Sequence, residues 1–92
     1  MKSTLSRTRE ATKILIADDD ALTRRILGKM LEQAGYEVVA VENGRKAVQS
    51  LSSADGPRLA LLDWLMPGLN GVEVCRELRR HSEYPYIYII LL

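Results

Sequence analysis

Four short, almost continuously apolar runs alternate along this 92-residue chain with stretches of helical periodicity, and that alternation excludes most ways of folding it. The runs cover residues 13–17, 36–41, 59–63 and 86–92. Apolar runs without polar alternation are the pattern of strands covered on both faces. Between the first two, a helix over 20–34 is predicted, with Leu22, Ile26, Leu27, Met30, Leu31 and Ala34 on one face, acidic residues ahead of it and Gly35 behind. Asn43 is placed to cap a second helix to about residue 53 that turns Ala47, Val48 and Leu51 inward, and Asp55-Gly56-Pro57 leads out of it. A third helix after Asn70-Gly71 is expected to turn Val72, Cys75 and Leu78 inward and to end in Arg79-Arg80-His81. Strands spaced by helices of about 10 to 15 residues predict right-handed βαβ units and a three-layer parallel α/β sheet. In such sheets ligands gather outside the carboxyl ends of the strands.

Two of the runs end in aspartate. Ile14-Leu15-Ile16-Ala17 leads into Asp18-Asp19-Asp20, and Leu59-Ala60-Leu61-Leu62 leads into Asp63, followed by Trp64-Leu65-Met66-Pro67-Gly68. If the two strands are neighbours, their carboxylates meet on one rim, where they repel one another unless a cation compensates them. Mg²⁺ suits such a rim, because it takes one or two carboxylates, a carbonyl and several waters and leaves room for phosphoryl oxygens. The short Asp63 side chain at a strand end is suited to forming an acyl phosphate. Pro67-Gly68 would then turn a carbonyl near Leu65 toward the ion. Taken alone, the acidic triplet also reads as a solvated cap on a helix N-terminus; its pairing with Asp63 and Met66-Pro67-Gly68 favours a site.

Thirteen basic and twelve acidic residues leave a formal charge of +1, so no bulk polycation attracts nucleic acid or an anionic membrane. The single cysteine, Cys75, excludes an intrachain disulfide and suits a reducing compartment. Residues 1–12 carry no apolar core of a signal peptide and are read as a disordered polar tail, which makes the cytoplasm the expected location. The run 86–92 is far too short to span a membrane and is expected to be a buried strand. Cys75 is expected to be a small core residue, His81 a surface cation, Trp64 a half-exposed loop aromatic, and Arg24-Arg25 and Arg79-Arg80 solvated helix faces.

The segments Ile14-Leu15-Ile16-Ala17-Asp18-Asp19-Asp20, Leu61-Leu62-Asp63-Trp64-Leu65-Met66-Pro67-Gly68-Leu69-Asn70-Gly71 and Pro85-Tyr86-Ile87-Tyr88-Ile89-Ile90-Leu91-Leu92 together resemble the receiver domain of bacterial two-component response regulators. The resemblance covers residues 13–92. It implies a flavodoxin-like sheet in the order 2-1-3-4, with the family's fifth strand and last two helices missing from the sequence. It also implies that Asp63 is the phosphoacceptor, Asp19 a Mg²⁺ ligand, Asp18 a metal-shell carboxylate acting mainly through water, and the Leu65 backbone carbonyl a further ligand. The partner would be a histidine kinase or phosphotransfer protein that donates from a phosphohistidine, and the chain a signalling module, not an enzyme.

The family's Ser or Thr after the fourth strand and its Lys at the end of a fifth have no counterpart here, where the last lysine is Lys46. The 92 residues are therefore expected to bind metal weakly and to accept phosphate poorly. An uncovered strand over 86–92 also predicts a homo-oligomer, or a partner segment that completes the sheet edge, with no contact to nucleic acid or membrane. Two other readings compete. An aspartate-nucleophile phosphohydrolase fits Asp18 and Asp20 but wants Thr or Val where Leu22 stands. A receiver-like interaction and assembly module would keep the fold without a working phospho-switch.

Overall fold

The computed structural model, which describes residues 11–81 and 86–92, sets β1 (Lys13–Ala17) in the interior of a parallel sheet, with Ile14, Leu15, Ile16 and Ala17 all buried. This is what a run without polar alternation requires. After it come α1 (Ala21–Gln33), β2 (Glu37–Val41), α2 (Gly44–Leu51), β3 (Leu59–Leu62), α3 (Gly71–Arg80) and β4 (Tyr88–Leu91). The four strands lie in the order β2-β1-β3-β4, all parallel, as the resemblance implied. Ala17 stands level with Val41 on one side and Leu62 on the other, and Leu62 with Leu91. Whatever follows those residues therefore emerges on a single rim.

One face of the sheet carries the core. Leu15, Ala17, Ala60, Leu62 and Ile87 meet Ala47 and Leu51 of α2 and Val74 and Leu78 of α3, and Met66 closes the layer from the loop after β3. Asn43 caps α2 by accepting from the Lys46 amide at 2.9 Å. Asn70 and Glu73 cap α3 reciprocally, each side chain bonding the other's backbone amide at 2.9 Å. The buried line of α3 is Gly71, Val74 and Leu78, while Val72 and Cys75, expected inside, are only half-buried. Gly71 fixes that rotation. A Cβ there would meet Leu91 Cδ2 at 2.8 Å and the Asp63 carbonyl at 3.0 Å, so the helix is seated with its glycine, and hence the i+3 and i+7 positions, against the sheet.

The opposite face differs from the expectation. Helix α1 packs mainly on β2 and β1, and it contains no fully buried residue: Leu27 and Leu31 are half-buried, whereas Leu22, Ile26 and Met30 are exposed by 62%, 52% and 60%. The predicted apolar face thus divides into a stripe that meets the sheet and a stripe at i, i+4 and i+8 that does not. The register explains why the 86–92 run is not buried on both sides either. Ile16 pairs with Leu61 and Leu61 with Ile90, so Tyr88 and Ile90 share the α1 face of the sheet, at its far side from α1. Ile87, Ile89 and Leu91 join the core, while Tyr86, Tyr88, Ile90 and Leu92 are exposed. Tyr86 and Tyr88 stack edge to face at 4.9 Å.

Gly35 has φ of 101°, the left-handed conformation that ends α1 without a side-chain penalty. Of the expected polar tail, only Ala11 and Thr12 are described; the Thr12 carbonyl accepts from the Glu37 amide at 2.9 Å. Pro85 of the last matching segment lies outside the described residues. No described helix is long and apolar enough to cross a membrane.

Candidate metal centre

Because β1 and β3 are adjacent and level, Asp18 and Asp63 leave the sheet side by side. The Asp18 amide donates to the Val41 carbonyl at 3.2 Å and the Asp63 amide to the Ala17 carbonyl at 2.8 Å, so each residue is still held by the ladder at its own backbone nitrogen. Asp18, Asp19 and Asp63 each place a carboxylate oxygen within 4.8 Å of the others. Asp18 is buried at 8% exposure, Asp63 is half-buried and Asp19 is exposed. Leu65 borders the group through its amide, which donates to Asp63 Oδ1 at 3.4 Å.

The acidic triplet serves two purposes. Asp18 and Asp19 turn to the rim with Asp63, whereas Asp20 caps α1, its Oδ2 accepting from the Thr23 hydroxyl at 2.6 Å and the Thr23 amide at 2.8 Å. Those two bonds, the hydroxyl's first, hold the Asp20 carboxyl below its ordinary range. A lowered folded value means that this cap stabilises at pH above the ordinary carboxylate range, and that its contribution is lost as pH falls through the lowered value. Glu42, which follows β2 on the same rim, is held low by its hydrogen bond from Lys46 Nζ at 2.8 Å and does not join the three carboxylates.

The loop from Asp63 to Asn70 is held at several points. Met66 is buried in the core, the Gly71 amide donates to the Trp64 carbonyl at 3.2 Å, and Gly68 takes a φ of 77° that few other residues adopt. Trp64 itself is half in solvent at 51% exposure, as expected for a loop aromatic beside the site.

Three hard oxygen donors, close enough to repel one another and partly open to water, fit a small divalent cation that keeps several of its own waters. A soft or thiolate-preferring metal finds nothing here, since the lone Cys75 lies on α3 outside the cluster. The sequence reading placed Asp18, Asp19 and Asp63 together, and so does the structure. It missed Arg24, read as part of a solvated face: its Nη1 donates to the Asp18 carbonyl at 2.8 Å in a half-buried contact. The signal was available, because a long side chain one turn inside a capped helix leans back over the turn that the cap closes.

Comparison with known proteins agrees with this fold. Residues 14–92 match the model of the response regulator receiver domain family. The probable transcriptional regulator ycf27 of Porphyridium aerugineum is 42% identical over 80 residues, covering 87% of this chain and 33% of that protein. The chain thus spans about a third of the length of such curated relatives. Among solved structures, the signal receiver domain of a signal transduction histidine kinase from Syntrophus aciditrophicus is 39% identical, with a TM-score of 0.80 over 89% of this chain and 61% of that one. The receiver domain of the sensor histidine kinase PA1611 from Pseudomonas aeruginosa, which holds a magnesium ion in its active site cleft, is 28% identical, with a TM-score of 0.79 over 88% of this chain and 66% of that one.

Proposed function

The chain belongs to the response regulator receiver domain family, and on that premise we propose that it takes a phosphoryl group from the phosphohistidine of a kinase or phosphotransfer protein onto Asp63. The observation that carries this reading is the meeting of Asp18, Asp19 and Asp63 within 4.8 Å at the ends of two adjacent parallel strands. Asp63 is the nucleophile because it combines a strand-end position with partial exposure: one carboxylate oxygen bonds phosphorus while the nitrogen–phosphorus bond of the donor breaks and the imidazole leaves. Its Oδ1 contact with the Leu65 amide orients the carboxylate. Asp19 would hold the cation directly, Asp18 mainly through water, and the Leu65 carbonyl would be a further ligand. With Mg²⁺ held by these residues, the site would supply neutralisation of the charge on the group in transfer. The magnesium held by the PA1611 receiver supports the choice of ion.

Trp64 adjoins Asp63 and is half exposed, so its fluorescence reports on the ion. Titration with MgCl₂ should give a saturable change at millimolar to tens of millimolar concentration, in the range of weak carboxylate sites, and Asp19→Asn should weaken it about tenfold or more. An identical curve for both proteins, or none for either, would remove the assignment.

A second copy is also among the partners of the 92-residue polypeptide. The exposed residues Tyr86, Tyr88, Ile90 and Leu92 form an uncharged edge, paired on one side only among the described strands, and Leu22, Ile26 and Met30 add a second apolar stripe. Light scattering across a concentration series should give masses above 10.4 kDa. A single species of that mass at high micromolar concentration would exclude self-association.

A further inference from the structure

We infer that Arg24 is a positioning residue for the cation site, acting through Asp18; this rests on the receiver reading above and deepens it. Asp18 is fixed at three atoms. Its amide donates to the Val41 carbonyl at 3.2 Å, its Oδ1 accepts from the Asp20 amide at 2.9 Å, and its carbonyl accepts from Arg24 Nη1 at 2.8 Å. The first two bonds come from the strand ladder and from the turn itself. The third comes from α1, and it spans the junction at which the chain leaves β1 and enters the helix. Arg24 thereby straps the first turn of α1 to the end of β1, with Asp18, Asp19 and Asp20 enclosed between the two anchor points.

The strap matters because the enclosed turn has to divide three consecutive carboxylates between two tasks. Asp20 must stay on the Thr23 amide as the cap, while Asp18 and Asp19 must face Asp63. Repulsion among the site carboxylates pushes the turn open when no cation is bound, and a guanidinium bond to the Asp18 carbonyl opposes that movement without occupying a carboxylate oxygen. The charge of Arg24 has the opposite consequence for a cation: a fixed positive group beside the rim repels Mg²⁺. The two effects predict opposite signs, which makes the role measurable.

The experiment is a Mg²⁺ titration followed by Trp64 fluorescence, on the wild type, Arg24→Met, Arg24→Lys, Arg25→Met and Asp19→Asn, with the urea midpoint of each metal-free protein measured alongside. A wild-type response that Asp19→Asn weakens establishes the site; without it the proposed cation site fails, and this inference with it. Given the site, Arg24→Met keeps the aliphatic stem but has no donor, and Mg²⁺ affinity should fall about tenfold, the size of effect known for residues that orient ligands. Arg24→Lys, with a single donor nitrogen on a similar stem, should recover part of the loss. Exposed Arg25→Met removes the same charge from the same helix without that bond, and should bind as the wild type does. The inference is overturned if Arg24→Met binds Mg²⁺ as tightly as the wild type or more tightly, which is the behaviour of a nearby charge alone. It is also overturned if Arg25→Met loses as much affinity, or if Arg24→Met and Arg24→Lys lose affinity only in proportion to a lowered urea midpoint.

Discussion

Asp63→Asn should abolish the labile acyl phosphate adduct that forms when the chain is incubated with a small acyl phosphate donor and Mg²⁺. Wild-type protein is expected to gain one phosphoryl mass, and the variant to show at least about a hundredfold less, because an amide oxygen is not a nucleophile toward phosphorus under these conditions. The substitution is nearly isosteric and keeps an oxygen for the Leu65 amide, so its urea midpoint should stay close to that of the wild type. Loss of labelling can then be assigned to chemistry instead of to unfolding. Asp18→Asn and Asp19→Asn should slow labelling but leave the adduct on Asp63, since they change the surroundings of the acceptor and not the acceptor. Intact mass followed by peptide mapping reads all four proteins. An adduct of undiminished yield in Asp63→Asn, or one that maps to Asp18 or Asp19 in the wild type, would overturn the assignment.

Gly44→Ala should destabilise the fold by about 2 kcal/mol, against the sign that helix propensity alone predicts. Gly44 is the first residue of α2, and in a helix alanine is favoured over glycine by about 1 kcal/mol. The structure reverses that preference. A Cβ at Gly44 would lie 2.1 Å from the Leu69 carbonyl oxygen, 2.7 Å from Leu69 Cβ and 2.9 Å from its carbonyl carbon. Two of these are backbone atoms, so no rotamer change relieves the overlap, and either α2 or the loop that follows Asp63 must move. Total stability of a domain this size is about 5–15 kcal/mol, so the loss should lower the melting temperature by roughly 10 °C. Gly28→Ala in α1 is the matched control. Its nearest neighbour would be Val38 Cγ1 at 3.9 Å, an ordinary contact, and the same exchange there should raise stability by about 0.5 to 1 kcal/mol. Urea unfolding decides between them, and a Gly44→Ala protein as stable as the wild type would show that the loop yields freely.

The Gly44 result bears on function as well as stability. Leu69 lies between Gly68, with its positive φ, and Asn70, which caps α3, and the same loop begins at the proposed phosphoacceptor. Helix α2 therefore contacts the segment that orients Asp63, although α2 contributes no carboxylate to the site. Nothing in the order Asn43-Gly44 announces this, because Asn-Gly before an amphipathic segment also reads as an ordinary helix start.

The sequence by itself determined the alternation of strands and helices, the parallel sheet and the presence of aspartates at its carboxyl edge. These follow from local chemistry: continuous apolar runs belong in doubly covered strands, Asn43 and Asn70 cap the helices they precede, and an aspartate at the end of such a strand has nowhere to go but the carboxyl edge. The order β2-β1-β3-β4 came from family resemblance and not from the residues. Tertiary structure decided the inward side of α1 and α3 and, where only family resemblance had told them apart, which of three neighbouring aspartates does which task, whereas α2 turned Ala47 and Leu51 inward as its periodicity predicts. Apolar periodicity specifies a stripe but not its phase to within one residue, so α3 turned on the close seat of Gly71 instead of on Val72 and Cys75, and Leu22, Ile26, Met30 and Ala34 of the predicted α1 stripe stayed exposed. Asp18, Asp19 and Asp20 are chemically equal in the sequence. Only the start of α1, which gives Asp20 the Thr23 amide, and the reach of Arg24 back to the Asp18 carbonyl separate the cap from the site, because both depend on distances across a turn that the order of residues does not contain.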